Sequence, residues 1–215
     1  MTEPDVTLTD YGLALECAVF AVLLCRKATA QPQLRAWFAL FFSSIGVAAL
    51  AGGTVHGFFL DVRTTGRAVL WPAAMLALGG TALSTWAIGA RIQFSRRLAR
   101  LVTLCATVVF ALYCALVLFV TQSYSLAIGH YVPAVCFLVG VFALAYRRTR
   151  ARPVGFAFLG LLLTLVASGL QWGRVGLHPV YFNHNALYHL IEAVALYLIF
   201  CGARWFLAVP RVKEE

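Results

Sequence analysis

Residues 101–120 read LVTLCATVVFALYCALVLFV and contain no Asp, Glu, Lys or Arg. A helix rises about 1.5 Å per residue, so a run of about 20 residues extends about 30 Å, the thickness of a bilayer's hydrocarbon core. A helix of this length on a soluble protein would carry a polar face. This stretch therefore predicts a helix that crosses a membrane.

Six further apolar runs accompany it along the chain, separated by short polar segments. Together they predict one all-α domain over residues 1–215, a bundle of seven transmembrane helices. A transmembrane β-barrel would instead need short segments of alternating polarity. The predicted spans are residues 11–25, 36–60, 68–90, 101–120, 125–146, 154–172 and 185–207.

The composition excludes the soluble classes. Hydrophobic residues make up 62% of the chain and charged residues 12%, against about 45–50% and about 25% in soluble domains. The six cysteines all fall within predicted spans, where a thiol packs as a small apolar group. We expect them to form no disulfide.

The net charge of +9 indicates membrane orientation and no nucleic-acid partner, because the basic residues form short clusters between the apolar runs. Membrane lipids are the expected partners. Fourteen basic residues fall on one predicted side, and only Arg63, Arg67 and Arg174 on the other. The bias predicts an extracellular amino terminus and a cytoplasmic carboxyl terminus. The fourteen are Arg26, Lys27, Arg35, Arg91, Arg96, Arg97, Arg100, Arg147, Arg148, Arg150, Arg152, Arg204, Arg211 and Lys213.

All five histidines fall on the predicted outer side: His56, His130, His178, His184 and His189. Glu16, Asp61 and Glu192 join them there. Ionisable groups inside membrane spans are costly and usually face the interior of the bundle. This one-sided group of polar residues is therefore the candidate functional site.

Spacing brings several of these groups together near the start of the seventh span. Asn185, His189 and Glu192 are four and three residues apart, so they share one helix face. With Asn183 or Asn185 as the N-cap, His184 would lie on the non-helical segment before the helix and fold over its end. In the second span Gly53 and Gly57 flank His56, which predicts close approach of another helix and room for a ligand.

Three imidazoles at one depth on different helices fit a zinc site. We therefore predict His56, His184 and His189 as ligands of Zn²⁺, with one position left for water. Asp61 or Glu192 would accept a proton from that water or orient a histidine ligand. The alternatives are that the interfacial histidines are merely hydrated and that Glu192 only bonds to a neighbouring helix.

The segments GGTVHGF (52–58) and FNHNALYHLIEAVALYL (182–198) resemble those of the alkaline ceramidase and progestin/adiponectin-receptor superfamily, including a group of bacterial seven-helix proteins. The resemblance implies a membrane-embedded Zn²⁺ held by three histidines and hydrolysis of a lipid amide or ester. His56 corresponds to the histidine of the second span and His189 to the last histidine of the seventh. A bacterial relative would lie in the inner (plasma) membrane.

The chain departs from that pattern at two functional positions. Gly52 stands where the ceramidases have a serine that stabilises the oxyanion, and Asn185 stands where they have the first histidine of HxxxH, with His184 shifted by one. These departures favour a second hypothesis, a non-catalytic membrane sensor, lipid-binding or structural protein with the same fold. A protein with one b-type haem and a transporter are further alternatives.

Overall fold

The structure, a computed structural model, describes residues 1–26, 28–178 and 182–209. Within these ranges the chain forms seven α-helices, and the remaining regular feature is an isolated bridge between His178 and Phe182. The helices are α1 (Pro4–Arg26), α2 (Pro32–Phe58), α3 (Thr65–Gln93), α4 (Arg96–Phe119), α5 (Tyr124–Thr149), α6 (Arg152–Trp172) and α7 (His184–Ala208).

Each of these seven helices is long and apolar enough to cross a membrane, which fits an integral membrane protein. The prediction of an all-helical chain with seven helices of membrane-spanning length is confirmed for the described residues. The helix that contains the first predicted span is longer than that span. α1 begins at Pro4, seven residues before residue 11, and the acids near its start, Glu3, Asp5 and Asp10, contact other parts of the bundle.

Local chemistry explains where several helices begin. The side chains of Thr64, Ser95 and Asn183 accept hydrogen bonds from first-turn amides of α3, α4 and α7, which satisfies donors that the helix itself leaves unpaired. Pro32 lies in the first turn of α2, where the missing N–H of proline costs nothing. Five of the six connections have six residues or fewer, and the one between α6 and α7 comprises residues 173–183.

Six of the helices form a closed ring. In that ring α1 packs against α2, α2 against α3, α3 against α5, α5 against α6, α6 against α7, and α7 against α1. α4 lies outside the ring and packs against α3. Its attachment includes Tyr113, whose hydroxyl donates to the Met75 carbonyl at 2.8 Å.

The alternating helices give the bundle two ends. At the amino-terminal end, α1, α3, α5 and α7 begin and α2, α4 and α6 end. Near the other end, Phe20, Phe42 and Phe200 pack together, with Phe20 stacked on Phe200 at a centroid distance of 4.3 Å. The ring is therefore filled by aromatic side chains below its middle and open above it.

Charge divides between the ends as predicted. Arg63, Arg67 and Arg174 lie at the amino-terminal end, and the described members of the fourteen lie at or beyond the opposite ends of the helices. Lys27, Arg211 and Lys213 lie outside the described residues. The six cysteines are free; Cys17 is buried, whereas Cys25, Cys105 and Cys136 lie on the outer surface of the bundle and not in its packing.

Candidate functional site

A cavity of about 800 Å³ opens at the amino-terminal end, inside the ring. We call it the amino-terminal cavity. All six ring helices contribute to its wall, which is mostly apolar, as in ligand-binding pockets generally. Its acidic and basic lining residues are Asp10, His56, Arg174, His184, His189 and Glu192.

His189 is the most enclosed of the histidines that line the cavity. Its Nε2 lies 3.2 Å from Asp10 Oδ1, and its Nδ1 lies 3.1 Å from Thr9 Oγ1. Asp10 is only 4% exposed and His189 9%. A buried carboxylate is costly unless it is paired, so this contact between α1 and α7 accounts for an acid in the interior.

Two more acids at the start of α1, Glu3 and Asp5, contact α2 and the N-cap of α7. Glu3 pairs with Nδ1 of His56 on α2, and the Asp5 carboxylate accepts a hydrogen bond from the backbone N–H of Asn183 at 3.0 Å. Asn183 is the N-cap of α7. The start of α1 therefore fixes both histidine-bearing helix ends at the cavity.

Glu192 lies two turns into α7 and is 4% exposed. Its Oε1 accepts a hydrogen bond from Thr164 on α6 at 3.3 Å. Its Oε2 is buried and has no hydrogen-bond partner among the described residues. The predicted alternative, a bond to a neighbouring helix, is thus observed, but it occupies only one of the two oxygens.

The predicted shared face of α7 is confirmed, because Asn185, His189 and Glu192 all line the cavity. The prediction for His184 was wrong in one respect. Asn183 is the N-cap, so His184 is the first residue of the helix and not part of a preceding segment. His184 nevertheless lines the cavity, since first-turn side chains lie at its rim.

Asp61 lies outside the cavity, in the loop after α2, and is exposed. Its carboxylate accepts hydrogen bonds from the backbone N–H and the guanidinium of Arg63, at 3.0 Å and 3.2 Å. These two bonds, the backbone one first, lower the pKa of Asp61 below its usual value. In this arrangement Asp61 is an ionised surface group that does not contact the histidines.

The glycines beside His56 serve helix packing. A Cβ at Gly53 would lie 2.6 Å from Asp10 Cβ, and one at Gly57 would lie 2.9 Å from Thr7 Oγ1. Close approach of a helix is confirmed, and the partner is α1. The room predicted there for a ligand is instead filled by α1. Gly52 does face the cavity, and a Cβ at this position would lie 3.9 Å from Asp10 Oδ2.

The described residues do not fit a zinc ion in this arrangement. Both ring nitrogens of His189 contact side chains of α1, and Nδ1 of His56 contacts Glu3. Across residues 1–26, 28–178 and 182–209, no three His, Cys, Asp or Glu side chains are placed to share a metal ion. A metal would require His56 or His189 to exchange a carboxylate contact for a metal bond.

The two remaining histidines lie away from the cavity wall. His130 stacks on Tyr113 at 4.4 Å, and His178 bridges to Phe182 through its backbone. Glu16 is half-buried on α1, with Oε2 lacking a hydrogen-bond partner within the described ranges.

Sequence reasoning missed Glu3, Thr9 and Asp10 as site residues. A signal for Asp10 was present: Val6, Asp10, Leu13 and Cys17 follow the spacing of one helix face, and the other three are apolar. An acid in such a stripe predicts a buried partner.

Fold and cavity together define a seven-helix protein of the membrane type, with a polar group at one end of its ring. Residues 6–207 match the model of a family of unknown function, DUF6962, and the chain belongs to that family. No curated protein and no solved structure matches the chain.

Proposed function

We propose that this membrane protein binds an amphiphilic, lipid-like molecule in the amino-terminal cavity. The observation that carries the proposal is the buried acid Glu192, which lines a cavity of about 800 Å³ and whose Oε2 has no hydrogen-bond partner among the described residues. An unsatisfied buried polar group costs about 1–3 kcal/mol. A ligand that donates a hydrogen bond, from a hydroxyl or an amine, would remove that cost.

The shape and chemistry of the wall support an amphiphile over a small polar ligand. Leu13, Ile45, Leu78 and Leu165 line the cavity, where an alkyl chain would gain about 25 cal/mol for each Å² removed from water. His56 and His184 lie towards the rim with the basic Arg174. The volume lies within the range of about 300–1,000 Å³ typical of ligand pockets.

Gly169 provides a direct test. It lines the cavity, and a Cβ there would meet nothing within 4 Å, so Gly169→Leu fills ligand space without a clash at the backbone. Gly140 on α5 is equally open but lies off the cavity, so Gly140→Leu is the matched control. Each purified variant would be extracted, and its retained lipids identified and quantified by mass spectrometry.

We expect one enriched amphiphile per wild-type chain. Retention should fall about fivefold or more in Gly169→Leu, because a ligand forced into the reduced cavity would be overpacked at a cost of about 1–3 kcal/mol. Retention in Gly140→Leu should be unchanged. Wild-type protein that retains only the bulk lipid mixture contradicts the proposal.

A zinc-dependent hydrolase of lipid amides or esters is the second proposal, because His56, His184 and His189 line one cavity. Glu192 is its candidate general base within that cavity, and Asp61 would have to leave Arg63 to take that role. Elemental analysis of the wild type, His56→Ala and His189→Ala tests it. Stoichiometric zinc that both substitutions abolish supports it, and wild-type protein without zinc contradicts it.

We further propose that the amino-terminal end faces outward and the other end the cytoplasm of a plasma membrane. The uneven division of basic residues between the two ends supports this orientation. The cavity would then open towards the outer leaflet.

A further inference from the structure

A second cavity, of about 290 Å³, lies at the opposite end of the bundle, where α2 and α4 begin and α3 ends. Three of its lining side chains are guanidinium groups, Arg91, Arg96 and Arg100. We call it the basic cavity. It is separate from the amino-terminal cavity and shares no lining residue with it.

The three arginines converge for local reasons. The connection between α3 and α4 is only Phe94 and Ser95, so Arg91 and Arg96 lie on either side of one tight turn. Arg100 follows Arg96 by four residues and shares its helix face. The Arg91 guanidinium donates to Gln33 Oε1 at 2.6 Å, which ties it to the first turn of α2.

The start of α2 adds further donors. Its N-cap, Gln31, makes no side-chain cap bond, because the Gln31 amide donates to the Phe206 and Val209 carbonyls at 2.7 Å and 2.8 Å. The first backbone N–H groups of α2, at Gln33 and Leu34, therefore lie at the cavity without that cap. Helix amino termini and arginines both favour anions.

The described carboxylates lie elsewhere. None of them lines the basic cavity; they occur just before or on α1, in the loop after α2 and on α7. They are Glu3, Asp5, Asp10, Glu16, Asp61 and Glu192. Arg96 and Arg100 therefore meet no described carboxylate at this cavity, and an anion beside them would come from outside the described residues.

We propose that the basic cavity binds a phosphate group. Its arginines present planar donors that match phosphate oxygens, and Leu34 and Ala99 in its wall offer an apolar edge. At a membrane surface, basic pockets between helices bind the head groups of anionic lipids. The phosphate comes from such a lipid or from free inorganic phosphate, and the two sources differ in whether acyl chains are required.

The test uses the full-length protein in detergent and in nanodiscs. Binding of short-chain phosphatidylglycerol is titrated for the wild type and for Arg96→Gln/Arg100→Gln. The control is Arg97→Gln/Arg148→Gln, which removes the same charge from exposed positions outside the cavity. Phosphatidylcholine and inorganic phosphate are titrated in parallel.

We expect the cavity variant to bind phosphatidylglycerol at least about tenfold more weakly, because it loses charge-assisted hydrogen bonds to the phosphate. The control should bind within about twofold of the wild type, because it loses only surface charge. If inorganic phosphate competes with the lipid, free phosphate is a sufficient ligand. If the lipid binds and inorganic phosphate does not compete, the lipid head group is the ligand. Equal weakening in both variants, or a wild type that binds neither phosphatidylglycerol nor inorganic phosphate, overturns the proposal.

Discussion

At the scale of single residues, Asp10 shows how a charged side chain is tolerated inside an apolar bundle. It lies on the buried face of α1 between Val6 and Leu13, and its carboxylate contacts His189 Nε2 at 3.2 Å. Removal of one partner from a buried pair is costly, because the other partner keeps its desolvation penalty without its bond.

We expect Asp10→Ala to lower the free energy of unfolding by about 1–3 kcal/mol, because the buried His189 Nε2 loses the polar group that it contacts. Asp10→Asn keeps an oxygen at the same position and should cost about 1 kcal/mol or less. Unfolding of both variants by sodium dodecyl sulfate in mixed micelles would measure the difference. Equal stability of Asp10→Ala and the wild type would show that the contact contributes nothing.

At the scale of helices, the pairing of α1 with α2 depends on glycines at one face of α2. Small residues allow the backbones of membrane helices to approach closely, where dispersion contacts replace the hydrophobic effect as the driving force. The Asp10 side chain packs against Gly53, and the Thr7 side chain packs against Gly57. This packing places both Glu3 and Asp10 within reach of the histidines.

Gly53→Ala should separate α1 from α2, because its new Cβ would lie 2.6 Å from Asp10 Cβ. We expect a loss of about 1–3 kcal/mol in the same unfolding assay. Gly12→Ala is the control, since a Cβ at that position meets nothing within 4 Å, and it should be neutral or stabilising by about 1 kcal/mol. A Gly53→Ala variant as stable as Gly12→Ala would contradict this packing of α1 on α2.

At the scale of the whole molecule, the ring has two chemically different ends. The amino-terminal end carries the cavity with its carboxylates and histidines, and the opposite end carries most of the arginines and the basic cavity. Phe20, Phe42 and Phe200 lie between them. This chemical difference between the two ends is expected of a protein whose two faces meet different surroundings.

The proposed orientation predicts different labelling of the two ends. In a cysteine-free background, Val62→Cys lies in the exposed loop after α2, and Ala28→Cys lies in the exposed loop after α1. A membrane-impermeant thiol reagent applied to intact cells should label Val62→Cys and should label Ala28→Cys only after permeabilisation. The reverse pattern would place the amino-terminal end in the cytoplasm.

Much of the architecture was predictable because it depends on local composition. Runs such as residues 101–120 identify spans by themselves, and the shared face of Asn185, His189 and Glu192 follows from helical spacing alone. The partners of those residues were not predictable. Thr9 and Asp10 are about 180 residues from His189 in the chain, and no local pattern relates them.

The sequence by itself determined seven apolar helices and the division of charge between the two faces, because each depends on residues within one or two turns of each other. Only the tertiary structure decided that α4 lies outside a ring of six and that α1 closes this ring between α2 and α7. It also decided that Glu3 contacts a ring nitrogen of His56 and that Asp10 contacts one of His189. These features depend on which helix surfaces pack together, and that choice is made by side chains distant in the chain.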